Sequence, residues 1–426
     1  MAVAPARRVA VCTPWYPTRQ RPFGGTFVKA MVEAVAAGCD DISLFHFDQW
    51  PAQLTPAAEA EVLRTQAALG PVLPRQAGHV AGARFAYHPV PVPVGVDRAG
   101  MSRRHAAAMR RAFGGAVPAP VVHAHVGAPT GWAALQNLAP GARLFVTEHV
   151  SFLGTLLEDP AVRQMYGEVL SGCTRFFAVG SVLRDQLAAA FPRHAGKLVV
   201  LPNPVAFGEP RPTPVRTLRR WIYVGSLIPR KAVQLVVEAF ARCRAADPQL
   251  TLTLVGDGPE RGRLEALAAA RGVADAVTFA GAVDHAATAR LMRAHDLLLH
   301  ASRWETFGMT VVEAVAAGMP VLVTRCGGPE ETLAEVAGLA AELVDVTDTP
   351  DALVSGYDRL RRRLPALDLP EARRRLEARY APAAVAAAYH RHWFGEPAVT
   401  PGVVPPPRQR RRGDLPSVPA PGPAGA

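Results

Sequence analysis

Two glutamates in the stretch HASRWETFGMTVVEAVAAGMPVLVT (300–324) stand eight residues apart. A strand is predicted over 296–301, so Glu305 lies in the loop after it, and a helix predicted to begin near Gly308 carries Glu313 more than one turn from its start. Free N–H groups at such a helix start suit a diphosphate, and carboxylates accept hydrogen bonds from sugar hydroxyls. The spacing therefore indicates a site for a ligand with both groups, against the alternative of a solvated glutamate pair.

A lysine and an arginine follow the strand predicted over 221–226. Lys231 is expected in the first turn of a helix over 231–245. A cation at a helix start interacts unfavourably with the helix dipole, so the presence of a lysine there indicates a functional role. Neutralising a phosphate is one such role, and a solvated surface lysine is the other interpretation. The direction of Arg230 is left open by the sequence.

Glycines and histidines occupy corresponding positions in the first half of the chain. Gly24 and Gly25 lie between the first predicted strand and helix, where glycine lets backbone N–H groups approach a phosphate or sugar closely, although the turn alone could require them. His149 ends a predicted strand, and His123 and His125 end the strand before it. The latter two could form half of a metal site, but no third ligand is evident, so an acceptor-cleft or structural role is preferred.

Alternating strands and helices must position these residues. Short apolar runs alternate with segments of helical period, which predicts parallel sheets with helices on both faces, and the alternation restarts after a proline-rich stretch. We therefore predict an α/β protein with two doubly wound, Rossmann-like domains that face each other across a cleft, where ligands gather at the carboxyl ends of strands. The predicted strands are 7–13, 40–47, 83–90, 119–126, 142–149, 173–180 and 197–203, then 221–226, 250–258, 276–281, 296–302, 320–324 and 339–346; the predicted helices include 27–38, 129–139, 181–191 and 231–245.

The predicted domain limits follow from composition. The first domain covers 1–203, the proline-rich linker 204–216 and the second domain 217–395, with a last helix (382–395) expected to pack back on the first domain. Residues 396–426 are rich in Pro, Arg, Gly and Ala and cannot bury enough apolar surface to order themselves, so they are predicted to be a disordered tail.

Composition and charge restrict the class of protein. The 426 residues are 49% hydrophobic and 19% charged, which is typical of globular proteins. The net charge of +11 suits anionic ligands and leaves peripheral contact with a membrane surface open, whereas nucleic acid is not an expected partner because no basic stretch is interleaved with aromatic residues. Five scattered cysteines indicate neither disulfides nor zinc. No apolar run is long enough for a signal peptide or a membrane span, so a cytoplasmic location is expected.

The stretch 300–324 resembles family 4 of the retaining glycosyltransferases, which have the GT-B fold, and the resemblance covers roughly residues 7–395. It implies that the first glutamate of the E-x7-E motif, Glu305, contacts the donor sugar and that the second, Glu313, holds the ribose hydroxyls. It also places Phe307, Gly308 and Met309 at the donor.

Further segments resemble the same family. YVGSLIPRKA (223–232) is similar to the segment whose lysine, here Lys231, neutralises the donor phosphates; the family usually has arginine where this chain has Ser226, which makes Arg230 a candidate for the missing charge. For PFGGTFVKA, donor binding by Gly24 and Gly25 is expected from the close backbone approach that glycine allows. VTEHVSF implies that His149 is the cleft histidine near the reacting sugar, so His149, Lys231 and Glu305 are the predicted catalytic residues.

The resemblance predicts a retaining glycosyltransferase that moves a sugar from a nucleotide-sugar donor, a UDP- or GDP-sugar, to a hydroxyl of a glycan, a lipid-linked precursor or a small metabolite. Because no D-x-D triplet is present, cationic side chains and helix dipoles are expected to replace a metal, with no cofactor. A sugar-nucleotide epimerase on the same fold and a donor-binding subunit with impaired catalysis are the alternatives. A Rossmann dehydrogenase is disfavoured because TPWYPTRQRPFGG, and no G-x-G-x-x-G, follows the first strand.

Overall fold

The computed structural model describes residues 6–18, 23–51, 55–57, 60–61, 64 and 79–395. The predicted tail, 396–426, lies outside the described residues. All five cysteines are free thiols.

Two mainly parallel sheets confirm the predicted α/β class with two Rossmann-like domains. The strands of the first sheet are β1 (Arg8–Thr13), β2 (Asp41–Pro51), β3 (His79–Val80), β4 (Ala83–Val92), β5 (Val121–His125), β6 (Arg143–Glu148), β7 (Arg175–Ala178) and β8 (Leu198–Val200). Those of the second sheet are β9 (Arg220–Val224), β10 (Thr251–Val255), β11 (Val277–Gly281), β12 (Leu297–His300), β13 (Val321–Thr324) and β14 (Ala341–Val344).

The order of the strands creates one switch point in each sheet. The first sheet runs β3-β4-β2-β1-β5-β6-β7-β8, with β3 antiparallel to β4, and the second runs β11-β10-β9-β12-β13-β14. The chain turns outward in opposite directions from β1 and from β9, so a crevice opens beside the carboxyl ends of those strands. Ligands of doubly wound domains bind at this edge, which is the edge where the predicted site residues lie.

Helices connect the strands and cover both faces of each sheet. The helices of the first half are Thr26–Val35, Arg98–Phe113, Trp132–Gln136, Leu153–Leu156, Pro160–Gly172 and Ser181–Ala190. Those of the second half are Val233–Ala246, Arg261–Ala270, His285–Ala294, Met309–Ala316, Gly328–Thr332, Ala337–Ala340, Asp351–Arg363, Leu369–Tyr380 and Pro382–Phe394.

Two predicted helices differ from the observed ones at their starts. The helix predicted over 231–245 begins at Val233, because Ala232 adopts a left-handed conformation with φ 48° and separates it from a 3-10 turn over Pro229–Lys231. The helix predicted over 129–139 is reduced to Trp132–Gln136. Val126 adopts φ 65°, and a π-helical turn over Gly127–Gly131 precedes the helix. Backbone conformations of this kind at non-glycine residues are set by the surrounding packing and leave no signal in hydrophobic periodicity.

The helix Pro382–Phe394 packs on the first domain, against the helix Thr26–Val35 and β1. Its buried side chains Val385, Tyr389 and Trp393 share one apolar cluster with those elements. Trp393 is fully buried, and its Nε1–H donates to His123 Nδ1 over 3.2 Å. The chain therefore crosses twice between the domains, while the predicted linker limits, 204–216, stay predictions.

A membrane-spanning helix would need about 20 apolar residues. Within the part of the chain that the structure describes, no helix combines that length with that composition.

We expect Trp393→Ala to lower the free energy of unfolding by about 3–5 kcal/mol, because it opens a cavity under the last helix. Trp393→Phe should cost about 1–3 kcal/mol, since it keeps an aromatic ring but removes the donor to His123. Urea unfolding measures both, with the exposed Ala387→Ser of the same helix as the matched control. An alanine variant as stable as the control would show that this helix does not anchor the first domain.

Candidate active site

Backbone hydrogen bonds fix the loop that follows β12 onto its neighbours. The N–H of Glu305 donates to Cys326 O over 2.8 Å, and the N–H of Gly328 donates to Glu305 O over 2.8 Å. The approach is so close that a Cβ added at Gly328 would lie 2.4 Å from the backbone nitrogen of Phe307, so a side chain at residue 328 would force the loops apart. The carboxyl ends of β12 and β13 are thereby locked together around Glu305.

Two cations and a histidine surround the carboxylate of Glu305, a residue that is only 8% exposed. Lys231 Nζ lies 2.5 Å from Glu305 Oε1, Arg230 Nη1 lies 3.3 Å from it and His300 Nε2 lies 3.5 Å from it. Burial alone would raise the pKa of Glu305, but Lys231, His300 and Arg230 together hold that pKa well below its usual range. The carboxylate is therefore ionised, and with two cations beside it the cluster has a net charge of +1.

The structure corrects the expected setting of Lys231. It lies in the 3-10 turn before the helix and not in the helix's first turn, and its side chain is 15% exposed and paired with Glu305, not solvated. Arg230, whose direction the sequence left open, points into the same cluster and donates to the carbonyl of Trp304. Ser226, where the family usually has arginine, is exposed on the preceding loop.

The helix Met309–Ala316 begins where predicted, with Gly308 as its N-cap at φ 85°. Glu313 lies on this helix with 15% of its side chain exposed, and His285 Nδ1 lies 3.8 Å from its Oε1. Burial raises the pKa of Glu313, and His285 only partly opposes this. Met309 is half-buried, whereas the Phe307 ring packs into the core against Tyr380, with centroids 5.4 Å apart. The Phe307 side chain is thus a packing residue, and its backbone alone remains near the helix start.

The first domain contributes the glycine turn and His149. Gly25 adopts φ 70° as the N-cap of the helix Thr26–Val35, and a Cβ there would lie 2.4 Å from Trp15 O, so the turn requires glycine. Gly24 precedes it in the same turn. The Phe27 ring at the helix start packs against the His149 ring, with centroids 4.3 Å apart and the ring planes inclined by 33°. The structure therefore brings together the glycine turn and the predicted cleft histidine.

Glu148, which the sequence reasoning missed, organises this side of the site. Its carboxylate is fully buried and accepts four hydrogen bonds, from the N–H groups of Gly127, His149 and Val150 at 2.8–3.0 Å and from the hydroxyl of Tyr166 at 2.6 Å. A carboxylate that ends an apolar strand is the signal that could have identified it.

Polar contacts join the two domains beside these groups. Thr306 Oγ1, next to Glu305 in the chain, donates to His149 O over 3.4 Å. Ser181, at the start of its helix, donates from N–H and Oγ to Glu331 Oε2 over 2.6 and 2.8 Å. The site is therefore built from the carboxyl ends of both sheets. Among the described residues, no group of three or more His, Cys, Asp or Glu side chains could hold a metal ion.

Two family models match the chain. The one described as Glycosyltransferase Family 4 matches residues 25–207, and the one described as Glycosyl transferases group 1 matches residues 213–375. The glycogen synthase of Mycobacterium tuberculosis is 31% identical over 188 residues, 40% of this chain and 44% of that protein. The D-inositol 3-phosphate glycosyltransferase of Actinosynnema mirum is 29% identical over 263 residues, 55% of this chain and 63% of that protein. The chain thus matches about half the length of these curated relatives.

Solved structures share the fold at low identity. The sucrose-phosphate synthase of Thermosynechococcus elongatus has a TM-score of 0.70 at 20% identity, covering 91% of this chain and 98% of that one. Anabaena HepE in complex with UDP-glucose has a TM-score of 0.63 at 17% identity, covering 89% and 97%. Both likenesses extend over the two domains and confirm the GT-B fold.

Since Lys231 is paired, we expect Lys231→Ala to lower the free energy of unfolding by about 1.5–3 kcal/mol, in contrast to the small effect of losing a solvated lysine. A double-mutant cycle with Glu305→Ala, followed by urea unfolding, measures the coupling, with the exposed Arg303→Ala as the control for the same loop. Additive effects of the two substitutions would contradict the pairing.

Proposed function

The chain belongs to glycosyltransferase family 4, and from that membership we propose that it transfers a sugar from a nucleotide-sugar donor to a hydroxyl of an acceptor with retention of the anomeric configuration. The observation that carries the proposal is the cationic cluster at the carboxyl ends of the second sheet. Lys231 and Arg230 outweigh the single charge of Glu305, and a helix begins at Gly308 nearby. A positive site beside a helix N-terminus suits a diphosphate and stabilises the negative charge that develops as it leaves.

The donor contacts proposed for the two glutamates follow the family's motif. Glu313 is proposed to accept hydrogen bonds from the ribose hydroxyls, and Glu305 from the hydroxyls of the donor sugar. The support for Glu305 is that Lys231 and Arg230 keep its carboxylate ionised, because an ionised carboxylate accepts stronger hydrogen bonds than a neutral acid. Gly24 and Gly25 are proposed to bring backbone N–H groups to the donor from the opposite domain.

We propose a front-face reaction, in which the acceptor hydroxyl attacks from the side on which the diphosphate departs. The leaving phosphate accepts the acceptor's proton, so that the new glycosidic bond forms as the sugar–phosphate bond breaks. Lys231 and the helix start at Gly308 hold the diphosphate charge, and His149 positions the sugar or the acceptor. His149 is neutral, since burial and then His125 lower its pKa well below the usual value, and it therefore acts by hydrogen bonding and not as a cation.

The donor and the acceptor are best identified by a ligand screen. A ligand that binds the native state raises the melting temperature by mass action. In a panel of UDP-, GDP-, ADP- and TDP-sugars, the true donor should therefore raise the melting temperature of the protein. UDP-glucose is the first choice, because the structural relative HepE is solved with it. The acceptor panel should include glycans, lipid-linked sugars and small polyols or inositols, and peripheral contact with a membrane through the basic surface can be tested by vesicle binding.

Anomeric analysis of the product by NMR tests the reaction. An α-linked donor should give an α-linked product and a free nucleoside diphosphate. An inverted linkage would contradict the proposed mechanism. An epimerised nucleotide sugar formed without acceptor would instead indicate an epimerase, and donor binding without turnover on the whole acceptor panel would indicate an impaired subunit.

We expect Glu313→Ala to weaken binding of both the nucleoside diphosphate and the nucleotide sugar by about 1.5–3 kcal/mol, because it removes the carboxyl group proposed to accept from the ribose hydroxyls. Titration calorimetry with each ligand measures the loss. Glu335→Ala, at a half-exposed position in the same domain, serves as the control. If a folded Glu313→Ala variant binds the diphosphate as tightly as the wild type, the ribose assignment is wrong.

A further inference from the structure

Three histidines lie side by side at the carboxyl ends of β5 and β6. His125 Nδ1 is 2.9 Å from His149 Nε2, and these two rings stack with centroids 5.1 Å apart. The His123 ring lies 5.0 Å from the His125 ring on the other side. Burial lowers the pKa of all three, that of His125 to about 3 and those of His123 and His149 well below the usual value. The row is therefore neutral, and each ring carries one N–H.

The proton of His123 has a fixed position. An indole N–H can only donate, and Trp393 Nε1 donates to His123 Nδ1 over 3.2 Å. The His123 proton is therefore on Nε2, which lies 2.8 Å from Thr147 Oγ1 and donates to it. Both nitrogens of His123 are satisfied, so this histidine is a structural residue and not half of a metal site.

The pair formed by His125 and His149 has two possible proton arrangements, because only one ring donates in the bond they share. If His149 Nε2 donates, the second N–H of the pair is on His125 Nε2. If His125 Nδ1 donates, that N–H is on His149 Nδ1. Both of these outer nitrogens are buried and have no hydrogen-bond partner among the residues that the structure describes.

The two arrangements differ in where the unsatisfied N–H lies. His125 is fully buried inside the first domain, and an unpaired N–H left there is a cost that no ligand can recover. His149 is half-buried at the boundary between the domains, with Thr306 of the second domain bonded to its carbonyl. An N–H on His149 Nδ1 is buried as well, but it lies at this boundary, where a substrate that binds between the domains and displaces the groups covering it can accept from it, while His125 retains only an unused lone pair.

We propose that His125 is a positioning residue whose Nδ1–H donates to His149 Nε2 and thereby fixes the His149 proton on Nδ1, as a hydrogen-bond donor to an oxygen of the bound sugar or acceptor. The effect of this proton arrangement on sugar transfer rests on the proposed function. The proton arrangement itself requires no substrate. No proton is transferred in this role; the pair presents a donor of fixed direction to the reacting groups.

Substitutions at residue 125 separate this role from simple packing. The amide nitrogen of asparagine occupies nearly the same place as His Nδ1 and can donate the same hydrogen bond. Leucine has a similar volume and no donor. We expect His125→Leu to lower kcat between about threefold and tenfold, which corresponds to one hydrogen bond, and His125→Asn to stay within about twofold of the wild type. The dissociation constant of the donor should change less than kcat in both variants.

The tautomer is measured by two- and three-bond ¹H–¹⁵N correlation spectra of protein labelled with ¹⁵N-histidine. The His149 and His125 signals are assigned from their loss in the corresponding variants, and His194→Asn, a substitution in the 3-10 turn Pro192–Lys197, is the control that should alter neither ring. Wild-type protein and His125→Asn should show His149 protonated on Nδ1, and His125→Leu should show the proton divided between the two nitrogens. Thermal unfolding establishes that each variant is folded.

A His149 ring protonated on Nε2 in the wild type, or divided between both nitrogens, overturns the proposal. So does a folded His125→Asn whose kcat falls as far as that of His125→Leu. If the wild-type protein transfers no sugar, the spectra alone decide the tautomer, so failure of the proposed function and failure of this inference are distinguishable.

Discussion

A carboxylate can be buried only if cations or hydrogen-bond donors replace its lost hydration, and the candidate site is organised around two carboxylates of this kind. Glu148, at the end of β6, is surrounded by neutral donors, three backbone N–H groups and the hydroxyl of Tyr166. Glu305, after β12, is surrounded by Lys231, Arg230 and His300. Each carboxylate fixes the loops around it, because moving a loop would leave a buried charge without partners.

The two environments differ in charge, and this difference divides the chemistry between the domains. Around Glu148 the neighbouring histidines are neutral, since burial lowers their pKa. Around Glu305 the cations exceed the anions by one, which is the arrangement that a departing diphosphate requires. We therefore interpret the first domain as presenting hydrogen-bond donors to the sugar or acceptor, and the second as carrying the charge of the leaving group.

Polar contacts hold these halves in register. Thr306 bonds to the carbonyl of His149, and Glu331 accepts twice from Ser181. The helix Pro382–Phe394 returns from the second domain to pack on the first. Apolar packing joins the halves as well, because one buried cluster contains Val150 and Leu153 of the first domain and Phe307 of the second. The position of His149 relative to Glu305 thus depends on how these contacts close, and not on either domain alone.

The sequence by itself determined the fold class, most strands, the E-x7-E pair and the strand-end position of His149, because hydrophobic periodicity and turn residues act over a few neighbouring positions. It could not supply the partner of Lys231, the direction of Arg230, the buried side chain of Phe307 or the role of Glu148. Lys231 and Glu305 are 74 residues apart, and the bond between His125 and His149 spans 24. Contacts over such separations arise when parallel strands bring their carboxyl ends to one edge. Only the packed tertiary structure decides which side chains meet there and, through burial, which of them carry charge.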